Sequence, residues 1–234
     1  CGEGTQRGMM RFGTGFAVSD IFVTHLHGDH ILGIPGLIQS WDFNGRESPL
    51  TIHCPRGTAS EIEGLVGVGD HTPTFSVDVS EIEAGGVALD SEEYVVRAVE
   101  TDHRVPAVGY ALIEDDRPGR FDREKAEDEL GVPPGPRYGK LHDGESVELD
   151  DGRVINPEQV VGEPRPGRRL VYTGDTRPTA AVERVAADAD LLIHDATFAD
   201  DHAARARDTG HATGGEAGEL AAKAGAKRLA LTHI

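Results

Sequence analysis

The stretch that decides the fold is residues 21–37, "IFVTHLHGDHILGIPGL". A short β-branched apolar run is followed by His25, His27, Asp29 and His30 within six residues, and then by the start of an apolar stripe. In extended backbone alternate side chains share a face, so His25 and His27 can point at one metal ion. Asp29 and His30, where the chain turns into a helix, are placed to reach a second. The only cysteines are Cys1 and Cys54, and neither is part of a C-x-x-C pair. A thiolate knot or disulfide framework is therefore not expected, and any metal must be held by imidazole and carboxylate, a ligand set that suits zinc.

Two ions need more ligands than one loop supplies, and the rest of the chain offers them in a repeated pattern. The apolar run 94–99 leads to Asp102 and His103, 170–173 to Gly174 and Asp175, 191–193 to His194 and Asp195, and 229–232 to His233. Five strands ending at site residues would gather these groups where α/β folds place their ligands, beyond the carboxyl ends of the strands. His103, Asp175 and His233 can complete the set, with Asp175 lending an oxygen to each ion.

Between these strands lie helices. Ile34, Leu37, Ile38 and Trp41 form the i, i+3, i+4, i+7 stripe of an amphipathic helix over 34–41, with Pro35 in its first turn. A second helix is expected over 215–224, with Thr213 as N-cap and Glu216 as its capping-box partner. Strand and helix alternation predicts an α/β sandwich, sheets inside and helices outside. Residues 114–169 break the pattern. They are rich in Pro, Gly and charge, with one short helix candidate over 121–130 and several hairpin signals. An inserted arm and a plain solvated loop both fit that composition.

Charge bears on partners. With 41 acidic against 23 basic residues the formal net charge is −18, which reads against a nucleic-acid partner if overall charge is the footprint. The exception is a chain adapted to concentrated salt. There dense carboxylates serve solubility, and a Debye length of about 3 Å at 1 M removes long-range repulsion. The scarcity of lysine (Lys125, Lys140, Lys223 and Lys227) fits that halophilic case. Residues 114–169 hold 10 of the 23 basic residues, so positive charge is concentrated in the arm. No stretch has the roughly 20 apolar residues of a membrane span, and no basic-then-apolar leader opens the chain, so a cytoplasmic protein with no membrane partner is expected.

The segment "THLHGDH" resembles the T-H-x-H-x-D-H signature of the metallo-β-lactamase superfamily. "CGEGTQ", "HLHGDHILGIPGL", "TDHRVPAVGY", "GVPPGPRYGKL", "YTGDTRP", "HDATF", "GHAT" and "LTHI", in that order, are similar to the RNase Z family of tRNA 3′-processing endonucleases. The resemblance spans nearly the whole chain. It implies an αββα metallo-β-lactamase sandwich with an inserted flexible arm. It also implies two Zn(2+) per chain, one held by His25, His27, His103 and Asp175, the other by Asp29, His30, Asp175 and His233. Asp29 would also accept a proton, His211 of "GHAT" would protonate the leaving oxygen, and Asp195 of "HDATF" would polarise His211. Gly135 and Pro136 match the part of the arm that clamps precursor tRNA, often across a homodimer. Relative to that family the initial strands and everything after "THI" are missing, so residues 1–234 are expected to be a single domain lacking both ends. A superfamily hydrolase of a small molecule, or a non-catalytic RNA-binding protein on the same fold, would share the first motif. The arm, "HDATF" and "GHAT" favour the nuclease.

Overall fold

The computed structural model describes residues 1–234, which divide into two compact units: residues 1–113 with 169–234, and Glu114–Arg168. The first unit begins with α1 (Thr5–Phe12), β1 (Asp20–Phe22), the single turn α2 (Gly28–Ile31), α3 (Ile34–Phe43), β2 (Leu50–Pro55), α4 (Ala59–Val66) and β3 (Val77–Ile82). β1, β2 and β3 form a parallel three-stranded sheet. Next come β4 (Val87–Asp90), β5 (Tyr94–Glu100) and β6 (Val108–Glu114), which end at the second unit.

Period-two alternation makes the sandwich. Ile21 of β1 and Val23 just after it join Leu50, Ile52 and Cys54 of β2 in a core shared with Ile34, Leu37, Ile38 and Trp41 of α3. Phe22 points the other way, into a second core with Ile82, Val96, Ala98, Val108 and Tyr110. That second core draws on both sheets, so it fills the space between them. The helical stripe read from the sequence is the buried face of α3, and each such side chain contributes about 1.5–3 kcal/mol as an upper bound.

After the second unit the chain resumes with β9 (Arg169–Tyr172), α6 (Ala180–Val185), β10 (Leu191–Asp195), α7 (Ala203–Thr209), α8 (Gly214–Ala224) and β11 (Leu229–Thr232). The six-stranded sheet has the order β11-β10-β9-β6-β5-β4. Its outer face (Val99, Ala111, Val171, Leu192) packs on Val182 of α6 and on Leu220, Ala221 and Ala224 of α8. The Thr213 and Glu216 capping box opens α8 one residue earlier than the sequence suggests. No helix is long and apolar enough to cross a membrane.

Within the second unit lie a π-helical turn at Lys125–Glu129, α5 (Pro136–His142) and the hairpin strands β7 (Val147–Glu148) and β8 (Val154–Ile155). The unit is not a solvated loop. Ala126, Val132 and Leu141 are fully buried among Val147, Leu149, Ile155 and Val160, and Phe121 packs its ring on Tyr138. No regular helix spans 121–130, and a helix forms instead at the Gly-Pro stretch, with Gly135 as N-cap and Pro136 in the first turn.

Candidate metal centre and active site

Every residue of the centre leaves the end of a strand or a turn nearby. β1 runs into the extended segment carrying His25 and His27, and His27 caps α2, the turn that carries Asp29 and His30. His103 follows β5, Asp175 follows β9, Asp195 ends β10 and His233 follows β11. His211 lies between α7 and α8, its N–H bonded to Ala206 O at 2.8 Å. The contributing strands belong to both sheets rather than to one sheet edge, which corrects the simplest reading of the strand-end pattern. One glycine makes the junction: at Gly174 (φ 62°) an added Cβ would lie 2.7 Å from Thr24 Cβ, so only glycine lets Asp175 come this close to the His25 segment.

Asp175 is the hub. Its Oδ2 is 3.5 Å from His25 Nε2 and 3.4 Å from both His30 Nε2 and His233 Nε2. His25 Nε2 is 3.1 Å from His27 Nδ1, which is 3.4 Å from His103 Nε2. Asp29 Oδ2 is 3.1 Å from His30 Nε2 and from His233 Nε2. The ligand atoms of His25, His27, His103 and Asp175 fall within 4.8 Å of one another, and so do those of Asp29, His30 and His233. Donors bound about 2.0–2.1 Å from a tetrahedral ion stand roughly 3.3–3.4 Å apart, which is the spacing here.

The protonation states also fit. Burial pushes the His25 imidazole down to about 3, helped by the nearby His30 charge and against the pull of Asp175, so the ring is neutral. Burial raises the Asp175 carboxyl, but its hydrogen bond and charge interactions with His30, and then His233 and His25, hold it at about 2. His30 Nε2 is buried with no well-aligned hydrogen bond, although two carboxylate oxygens lie within 3.4 Å. An orphaned ring nitrogen beside the neutral His25 ring and the ionised Asp175 carboxylate is the chemistry of a metal ligand. The residues fit a metal-binding centre.

A second layer holds these ligands. His25 Nδ1 meets Thr24 Oγ1 at 3.2 Å, His103 Nδ1 donates to Gly210 O at 2.9 Å, and His233 Nδ1 meets Thr197 Oγ1 at 2.7 Å. Asp195, with no exposed surface, accepts from the N–H groups of Thr176 (3.0 Å) and Thr197 (2.9 Å), from Thr197 Oγ1 (2.6 Å) and from His211 Nδ1 (2.8 Å). His211 Nδ1 is closer to Asp195 than to Asp175 Oδ2, which is 4.0 Å away, so that nitrogen is engaged away from the ligand set. Arg177 donates to both carboxylate oxygens of Glu216 and to the carbonyl of His211, fixing the loop that carries the ring.

Thr197 and Arg177 escape the sequence reading, and Glu216 enters it only as a helix cap. His194 is fully buried and donates to the Asp195 carbonyl at 2.8 Å; burial lowers its pKa, and its Nε2 has no hydrogen-bond partner. His53 and His71 each meet one carboxylate, Asp20 and Asp42 respectively, outside any ligand cluster. Gly135 and Pro136 are exposed and belong to the Glu114–Arg168 unit.

The sequence profile of the Beta-lactamase superfamily domain matches residues 14–124 and 156–234, leaving most of the Glu114–Arg168 unit's middle unmatched. Over 234 residues, all of this chain and 75% of the relative's length, the sequence is 63% identical to "Ribonuclease Z" of Halorubrum lacusprofundi. It is 62% identical to "Ribonuclease Z" of Haloferax volcanii, covering 74% of that protein. Among solved structures the crystal structure of human tRNase Z, short form, superposes with a TM-score of 0.71 at 25% identity, covering all of this chain and 79% of the other.

Proposed function

The chain belongs to the ribonuclease Z family of the beta-lactamase superfamily, and from that premise we propose that its His/Asp centre, loaded with two zinc ions, removes the 3′ trailer from precursor tRNA. The observation that carries the reading is the pair of ligand clusters meeting at one carboxylate, Asp175. His25, His27 and His103 would hold one ion and Asp29, His30 and His233 the other, with Asp175 between them. When bound, such ions supply Lewis-acid chemistry, activating water at neutral pH and stabilising charge on the attacking and leaving oxygens of an in-line displacement.

The chain's own groups handle the protons. Asp29 exposes nearly two thirds of its side chain at the mouth of the centre, and one carboxylate oxygen accepts the proton of the attacking water. That water adds to the phosphorus just after the discriminator nucleotide, and the P–O3′ bond breaks. His211 Nε2 delivers a proton to the departing 3′ oxygen, while Asp195 holds Nδ1 and stabilises the ring's positive charge. The products are a tRNA 3′-hydroxyl and a trailer with a 5′-phosphate. Gly135 and Pro136, exposed at the start of α5, are the proposed tRNA contact of the inserted unit. Support for a homodimer as the working assembly comes from Met10, Phe12 and Phe43, large apolar side chains left exposed on α1 and α3.

Cleavage of one precursor tRNA, mapped at nucleotide resolution, tests the reading alongside metal analysis. Two zinc ions per chain, a single cut after the discriminator nucleotide, loss of cleavage on chelation and its return with zinc are expected. A cut elsewhere, or full activity in excess chelator, would overturn it.

A further inference from the structure

Beside His211 stands an aromatic platform that neither the ligand set nor the proton path uses. Phe198 follows β10 by three residues and is pinned to the His211 loop by its backbone: its N–H donates to Ala212 O at 3.3 Å and its carbonyl accepts from Gly214 N at 3.0 Å. Its ring is half-buried and meets His211 edge-on, with centroids 6.1 Å apart and planes at 67°. Over the ring, with its central carbon 5.5 Å from the centroid, lies the guanidinium of Arg205 from α7.

Arg205 is not tied up in an ion pair. Unlike Arg177, which is committed to Glu216, Arg205 is exposed and has no carboxylate partner. An unpaired guanidinium over an aromatic ring offers an open planar cation. Nucleobases splayed out of single-stranded RNA stack on aromatic rings and on guanidinium planes alike. The position fixes which nucleotide is in reach. If His211 protonates the departing 3′ oxygen, the neighbouring platform faces the nucleotide that carries this oxygen, not the trailer.

We infer that Phe198 and Arg205 form a stacking subsite for the base of the nucleotide immediately 5′ to the scissile phosphate. The subsite rests on the proposed nuclease function and adds to it a residue-level site for the discriminator base. Because stacking is tolerant of base identity, the subsite holds any base at that position and fails only when the base is absent.

The test uses the zinc-loaded chain with two substrates, a precursor tRNA and the same RNA made abasic at the discriminator position. Phe198→Leu and Arg205→Lys are each expected to raise KM about tenfold on the intact substrate, the size of one lost stacking contact, with kcat changed less than twofold. Phe198→Trp restores KM. On the abasic substrate the wild type already has the raised KM, and neither substitution adds to it. An independent readout uses metal-free protein and RNA with 2-aminopurine at the discriminator position. The wild type quenches its fluorescence, and Phe198→Leu does not.

Equal KM penalties on both substrates, a loss confined to kcat, or unchanged quenching would overturn the subsite while leaving the nuclease intact. Failure of the wild type to cut either RNA would overturn the functional reading and the subsite with it.

Discussion

At the scale of single residues, the protons around Asp195 can be counted. Thr197 Oγ1 has one hydrogen and three neighbours: Asp195 Oδ1 at 2.6 Å, His233 Nδ1 at 2.7 Å and His211 Nδ1 at 3.1 Å. The carboxylate takes it, so His233 Nδ1 must donate to the hydroxyl and His211 Nδ1 to Asp195 Oδ2. Both rings then commit Nδ1 and leave Nε2 as the atom that acts. For His233 that is the atom facing Asp29 and Asp175. For His211 it is the atom proposed to hand a proton to the departing oxygen. Replacing His211 by Ala is expected to lower kcat about 10²–10⁴-fold, the range for a lost general acid, while metal analysis still finds a full complement of zinc. Loss of metal in that variant would assign His211 to the ligand set instead. The gathering of Asp29, His30 and the other proposed ligands is legible in the sequence because imidazole and carboxylate at strand-end spacing have few other uses. Thr197 is not, since a threonine after a strand has no spacing signature and gains its role only when chain segments 36 residues apart meet.

Among the elements, α2 and α8 carry the site's tolerances. The opening "CGEG" finds its reason in close backbone contact: a Cβ on Gly2 would fall 1.8 Å from Asp29 O, and one on Gly33 would fall 2.1 Å from Gly2 O. Gly33 N also donates to Cys1 O at 3.0 Å. Gly2→Ala is therefore expected to displace α2 and halve zinc content by emptying the Asp29, His30 and His233 cluster, with little change in the circular dichroism of the sheets. At α8, Glu216 accepts from Thr213 N at 2.9 Å and pairs with Arg177, and the pair with Arg177 holds its carboxyl below the ordinary range. A depressed folded-state pKa contributes stability above the unfolded value and loses it as pH falls through the folded value. Glu216→Gln should melt lower than wild type at pH 7, and the gap should close as the pH drops below about 4, a comparison that thermal melts across pH 7 to 3 can make. Strands and helices with clear periods were readable in advance to within a residue or two. The packed interior of 114–168 was not, because Ala126, Val132 and Leu141 are spaced by turns and follow no helical or strand period.

For the whole molecule, the net charge of −18 misleads if it is taken by itself to exclude RNA. Relatives at 62–63% identity come from Halorubrum lacusprofundi and Haloferax volcanii, and in concentrated salt, repulsion between an acidic surface and RNA is screened within a few ångströms, about 3 Å at 1 M. What selects the substrate must then be short-range contact, which is the part the second unit is proposed to play. Its excision is feasible because Ile113 and Arg169, the residues on either side, are already paired across β6 and β9. A chain with Glu114–Arg168 replaced by a short Gly-Ser turn should keep its zinc and hydrolyse bis(p-nitrophenyl) phosphate at close to the wild-type rate, yet cut precursor tRNA at least about 100-fold more slowly. Undiminished tRNA cleavage would remove the unit from substrate recognition. The paired root has a consequence for descent as well as for assay. A segment that enters and leaves through adjacent rungs of one ladder can be gained, lost or exchanged between lineages without unpicking the sheet. Ancestors of this chain could therefore change what they recognised while inheriting the chemistry intact.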